Sequence, residues 1–284
     1  MRQSLNKLVK QQLLFAFLLN SASVFAQVSY VEEIAPLDGV QIPRVKRDQP
    51  KGITPAGTVF KDCDKCPEMV AIPAGKFQMG GLSGWSNDSL PVHEVRLNSF
   101  AIGKFEVTQK EWNLFMEKNP SVTIGDDLPV NGVSWDSAKN YVKKLSDRTG
   151  KNYRLPSESE WEYASKGIEL PKDQESLIKV INVYSWNGHN SNKEPHSVGK
   201  KSPNLFGLHD MFGNVFEWVE DCKNSNFINA PNDGSPWLFG SCNKRVLRGG
   251  SYSDFYAYFN KNFRMFESTD SPFPTFGFRV ARDF

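Results

Sequence analysis

The sequence predicts an α+β fold with few helices, short strands and long ordered loops. Three observations predict it. Helix-start signals followed by an apolar stripe occur in few places. The other apolar runs are short and are bounded by Gly, Pro, Asn or Asp, as strands joined by turns are. Seven Trp in 284 residues supply large buried surfaces that can hold loops against a core. A chain of this length can bury a full core, and one domain of roughly 220 residues is expected after trimming.

The elements follow in order. Arg2, Lys7 and Lys10 precede the apolar run Leu13–Leu19, and Val24-Phe25-Ala26 places small residues at a cut after Ala26. Residues 1–26 therefore read as a signal peptide, with the mature chain periplasmic or secreted. The apolar run is too short to anchor in a bilayer, no other segment is a candidate span, and no Cys stands near the cut to carry a lipid. Residues 27–61 read as a linker or N-terminal arm, interrupted by Pro36, Pro43, Pro50, Gly52, Pro55 and Gly57. The folded domain is expected over 62–284.

Within that domain Thr108 and Glu111 form a capping box, in which hydroxyl and carboxylate satisfy free amides at a helix start, and Trp112, Phe115 and Met116 share its face. A second helix begins near Ser134. Ala138, Tyr141, Val142 and Leu145 form its stripe and Gly150 ends it. A third follows Pro156, capped by Ser157 and Glu160, with Trp161 and Ala164 inward and Gly167 as the stop. Strands are expected at Met69–Ile72, His93–Leu97, Phe100–Ile102, Phe216–Glu220, Val246–Arg248 and Gly277–Ala281. There is no internal repeat.

The formal charge of +2 is scattered, which excludes a nucleic-acid stripe. The histidines His93, His189, His196 and His209 stand in no metal-binding spacing, and no nucleophile elbow occurs. Glu160 and Glu162 point different ways on a helix, so they are not a catalytic pair. Four cysteines fit an exported chain and favour the disulfides Cys63–Cys66 and Cys222–Cys242. A zinc site from all four, or a redox-active Cys63–Cys66, are the alternatives.

The run GLHDMFGNVFEWVED, Gly207–Asp221, gathers Asp210, Gly213, Asn214 and Glu217 ahead of Trp218. Oxygen donors this close, with a Gly that lets the backbone turn, suit a hard cation such as calcium. A polar turn before a buried strand is the other reading.

Around that run stand MVAIPAGKFQMG (Met69–Gly80), KFEVTQKEW (Lys104–Trp112), LPVNGVSW (Leu128–Trp135), RLPSESEWEYA (Arg154–Ala164), RVLRGGSY (Arg245–Tyr252) and FGFRVAR (Phe276–Arg282). In this order the blocks closely resemble the formylglycine-generating enzyme family, also called sulfatase-modifying factors, over about Asp62–Phe284. The resemblance implies a C-type-lectin-like arrangement with little regular structure. It also implies a structural calcium ion held by the side chains of Asp210 and Glu217 and the carbonyls of Gly213 and Val215. Glu106 is a weaker candidate for a second ion.

Enzymes of this family hold Cu(I), a soft ion selected by thiolates, on two cysteines just after the RGGS block. Here those positions fall on Asp254 and Phe259, and no cysteine follows Cys242. Copper-dependent formylglycine formation is therefore not expected. The same segment is rich in aromatics. Tyr252, Asp254, Phe255, Tyr256, Tyr258, Phe259, Phe263 and Phe266 are candidates for a binding surface presented by the 253–275 loop, unless most of these rings are core. Proteins of this fold include targets of diversity-generating retroelements, and the 253–263 composition is compatible with one. The first functional reading is a non-catalytic module that binds a protein, peptide or glycan. The alternatives are an envelope oxidoreductase of altered chemistry, like relatives that mature siderophores, and a structural envelope component.

Overall fold

Two sheets that exchange one strand carry the architecture, seen in a computed structural model that describes residues 56–82, 87–168, 171, 173–255 and 259–284. These belong to one compact unit, Gly52–Phe284. The expected signal peptide and nearly all of the expected linker lie outside the described residues, as do Tyr256 and Tyr258.

The chain runs β1 (Val59–Phe60), β2 (Met69–Ile72), β3 (Gly75–Met79), β4 (His93–Leu97) and β5 (Phe100–Gly103) before its first helix, α1 (Gln109–Trp112). Then come α2 (Trp135–Thr149), β6 (Tyr153–Arg154), α3 (Glu158–Ala164), α4 (Gln174–Tyr184), β7 (Ser185–Trp186) and β8 (Phe212–Gly213). The last elements are β9 (Phe216–Lys223), β10 (Ser241–Arg248), β11 (Met265–Ser268), β12 (Phe276–Gly277) and β13 (Ala281–Asp283). One sheet has five strands in the order β1-β2-β5-β13-β6, and a second has four, β11-β10-β9-β12. Hairpin β3-β4 and the parallel pair β7-β8 complete the pairing.

The three expected helices form where their caps stand. Thr108 and Glu111 make the capping box of α1, and Ser157 and Glu160 that of α3. Gly150 ends α2 in the left-handed conformation, φ 67°. α1 is shorter than its stripe suggested, but Phe115 and Met116 still pack on the cluster that buries Trp112. α4, capped by Asp173, was not expected, because only Ile181 on it is fully buried and its stripe is weak.

Two strand expectations need correction. β1 lies inside the expected linker, where Val59 and Phe60 pair with Val70 and Met69. The sheet therefore starts before residue 62. The expected strand Gly277–Ala281 is two strands. β12 runs parallel to β9, whereas β13 runs between β5 and β6 in the other sheet. The chain crosses over at Phe278-Arg279-Val280, whose carbonyls at 278 and 280 accept from Val107 and Gly103.

Helix α3 reads ESEWEYA, yet every residue in it is buried. Burying three carboxylates requires partners. Glu158 accepts from Arg248 and Arg264, Glu160 from Arg154, and Glu162 from Arg248 and the Gly80 amide. Asp221 completes this layer, accepting from the amides of Glu158 (2.7 Å) and Trp237 (2.8 Å).

Burial, together with the nearby Glu158 charge, pushes the Asp221 carboxyl up to about 7. The folded state thus holds this proton more tightly than the unfolded chain, where an Asp titrates near ~3.9. The contribution is full below that lower value and is lost as pH rises toward 7. Asp221→Asn should flatten the fall in stability between about pH 4 and 7. Urea unfolding across that range checks it, and a slope equal to the parent's would contradict it.

Candidate functional site

The segment after β10 forms one wall of the candidate site. Gly249 takes φ 98°, and a Cβ there would stand 3.2 Å from the Met211 carbonyl, so the turn admits little but glycine. Ser251 donates its N–H (2.9 Å) and hydroxyl (2.5 Å) to one oxygen of Asp254. The Asp254 carbonyl accepts from Gly188. Burial raises this carboxyl despite those hydrogen bonds. Tyr252 is buried, its N–H donates to Asn214, and its hydroxyl reaches the Pro274 carbonyl at 3.4 Å. That contact ties the 251–255 turn to the 272–275 turn.

The aromatic surface expected here is mostly interior. Phe259 is 2% exposed and lies against Gly213, where a missing side chain leaves room for its ring. Phe263 and Phe266 are half-buried and pack on the two core clusters. Among the described residues of that set only Phe255 is open, 54% exposed, and its ring meets His189 edge-on at 5.2 Å. Phe273, on the neighbouring turn, is 54% exposed as well. His189 had no signal in the sequence, because it reaches this rim from far upstream through the Gly188 to Asp254 hydrogen bond.

Behind this wall lies the run Asp210–Glu217. Asp210 and Asn214 both take left-handed backbone angles, φ 55° and 54°, which Asp and Asn tolerate better than most residues. Glu106 accepts from the Val215 amide (2.9 Å) and the Asn214 side chain (2.7 Å). Glu217 accepts from Arg279 at both oxygens (2.7 Å each) and from the Trp161 indole (2.8 Å). One oxygen of Asp210 accepts from Gly199 at 2.7 Å, and the other is buried with no protein partner.

Three buried carboxylates thus share one buried guanidinium, with Lys201 a more exposed positive charge near Asp210. Burial, then repulsion from Asp210 and Glu217, holds Glu106 well above the usual carboxylate range. Burial pushes Asp210 up to about 6. The set fits a cation at Asp210, whose second oxygen is open. At Glu217 a cation would share the carboxylate with Arg279. Among the described residues no three His, Cys, Asp or Glu side chains are already arranged around a common ion position. Glu106, the weaker candidate, spends both oxygens on Val215 and Asn214.

The cysteines pair as expected, Cys63 with Cys66 and Cys222 with Cys242, and no free thiol remains. This removes the four-cysteine zinc alternative.

Fold and site together define a sulfatase-modifying-factor frame. Residues 55–284 match the family described as the Sulfatase-modifying factor enzyme 1-like domain, and the chain belongs to that family. It is similar to PvdO from Pseudomonas aeruginosa, with 31% identity, a TM-score of 0.75, and coverage of 82% of this chain and 100% of that one. Treponema denticola variable protein 1 is also similar, with 27% identity, a TM-score of 0.69, and coverage of 80% and 99%. Serine/threonine-protein kinase pkn1 of Chlamydia pneumoniae is 29% identical over 76% of this chain and 38% of its own length. The chain therefore spans well under half the length of the Chlamydia kinases it matches.

Arg279→Ala would leave Glu217 buried beside two other carboxylates. It should destabilise the fold by about 3–5 kcal/mol. The pair Glu217→Gln with Arg279→Met should recover most of that loss. Denaturant unfolding of both variants checks it, and a single variant as stable as the parent would contradict the pairing.

Proposed function

We propose that this chain is a non-catalytic recognition module that presents the rim of the 251–255 and 272–275 turns to a protein, peptide or glycan. The observation that carries this reading is what occupies the two positions where family enzymes hold copper. Asp254 is hydrogen-bonded within its own turn, and Phe259 is core. All four cysteines are consumed in disulfides. No thiolate pair can form there, so copper–thiolate oxidation has no ligands. Phe255 and Phe273 remain exposed on backbone held by hydrogen bonds, and rigid aromatic rings give contact area at low entropic cost. The resemblance to a variable protein, which the chain covers almost entirely, supports a recognition role. The disulfides fit an oxidising compartment, so we place the mature chain outside the cytoplasm.

A second reading, an oxidoreductase of altered chemistry, draws on the similarity to PvdO, which covers 82% of this chain. It would need a redox group beside Tyr252 and Asp254.

One paired experiment separates the two. The purified chain, supplied with copper and a sulfatase-type cysteine peptide, should yield no aldehyde; turnover would overturn the proposal. In parallel, the double variant Phe255→Ser/Phe273→Ser should melt with the parent yet fail to retain a partner that the parent captures. Identical retention by both would remove the rim from the proposal.

A structural calcium ion at Asp210, Gly213, Val215 and Glu217 belongs to the same proposal. Its support is the unpartnered Asp210 oxygen and the gathering of three buried carboxyl groups around one guanidinium, whose charged form a divalent cation would favour. Its role would be to tie the 210–217 run to the core. Calcium added to chelator-treated protein should raise the melting temperature, and Asp210→Ala should abolish the rise. A melting temperature indifferent to calcium would rule the ion out.

A further inference from the structure

The connection from β9 to β10 holds a groove that the proposed rim does not use. Its volume is about 540 Å³, and it is lined by Asn224, Asn226, Ile228, Asn229, Trp237 and Phe239, with Ser225. None of these is charged.

The frame around this groove is rigid. The Cys222–Cys242 disulfide closes its base. Trp237 is pinned through both backbone groups, its N–H to Asp221 (2.8 Å) and its carbonyl to the Cys222 amide (2.9 Å). The Asn224 amide donates to the Phe239 carbonyl at 2.8 Å. Gly240 takes φ 103°, and a Cβ there would stand 2.4 Å from the Asn224 side chain, so the turn is closely packed. Phe227 anchors the far side in the core, with its N–H on Leu90.

On this frame Phe239 is 79% exposed, and Ile228 and Leu238 are also open. A loop held at so many points cannot fold its own ring inward. Phe239, Ile228 and Leu238 thus gather on one fixed loop as an exposed apolar patch, the kind of surface that marks an interaction site.

The chemistry of the lining selects the ligand. An aromatic face is electron-rich and attracts the weakly positive C–H groups of an apolar surface. Amide side chains both donate and accept hydrogen bonds without charge. A neutral sugar ring presents both partners at once, C–H groups on its face and hydroxyls at its edge. A charged ligand would find no counter-charge in the lining. We propose that this groove is a binding subsite for a neutral oligosaccharide, with Phe239 as the stacking platform and Asn226 and Asn229 as hydroxyl partners, Asn224 being spent on the loop itself.

The test uses the full chain with its disulfides intact. Saturation-transfer NMR with cellotetraose, chitotetraose and maltotetraose should give transfer to at least one of them. Phe239→Ala should weaken that binding by about tenfold or more, as loss of a central aromatic contact does. Phe239→Tyr should retain it, and Phe255→Ser, on the separate rim, should leave it unchanged. All three variants should melt with the parent, since the rings at 239 and 255 are both exposed. Absence of transfer from every sugar would overturn the inference. So would transfer undiminished in Phe239→Ala, or a neutral peptide that binds through Phe239 more tightly than any sugar.

Discussion

A guanidinium with no water around it must find an acceptor for each nitrogen, and Arg279 finds them in three separate parts of the chain. Its Nε and Nη2 meet Glu217 on β9, Nη1 meets the Gly103 carbonyl at the end of β5, and Nη2 also meets His209. The residue sits where the chain leaves one sheet for the other. One side chain thus touches both sheets and the 207–217 run. Breaking one partner of such a pair leaves an uncompensated charge, which is why the arrangement resists piecemeal change. The Trp161 indole, donating to the same carboxylate, carries the constraint on into α3.

The second layer repeats the solution. Arg248 and Arg264 neutralise Glu158 and Glu162 on a helix with no exposed residue. Arg264 also donates to the carbonyls of Asp88 and Asn224, and Arg248 to that of Lys261. The loops on either side of the proposed rim and groove are therefore fixed by buried charge rather than by regular secondary structure. A frame of this kind can accept substitutions at exposed loop tips without moving, because the positions that fix it lie inside. Recognition is a consistent use of it: the exposed rings Phe255, Phe273 and Phe239 contribute little to the core, and the residues beneath them contribute much.

The two positions where the resemblance places cysteines, 254 and 259, carry side chains bound into their own surroundings. The ring at 259 lies close to Gly213, where a Cβ would stand 2.1 Å from the Trp186 carbonyl and 3.1 Å from that ring. A carboxylate at 254 is satisfied by the turn that positions it. Neither side chain offers a thiolate to a soft metal.

Capping boxes, the left-handed Gly150, the cysteine pairs and most strands were legible in the sequence, because each is written in residues close together along the chain or in simple pairing. The family was legible for the same reason, in blocks of local order. What only the tertiary structure decided depends on residues far apart. The aromatic run 252–266 has no period, so nothing local separates core rings such as Phe259 from open ones such as Phe255. That Glu217 is ion-paired depends on Arg279, sixty-two residues on, which nothing close to it in the chain announces. Helix α3 reads as a capped helix with only Trp161 and Ala164 inward; the burial of Glu158 and Glu162 depends on arginines from β10 and beyond. Local chemistry determines how a segment begins, turns and stops; burial, which sets the ionisation and the exposure of a side chain, is a property of everything packed around it.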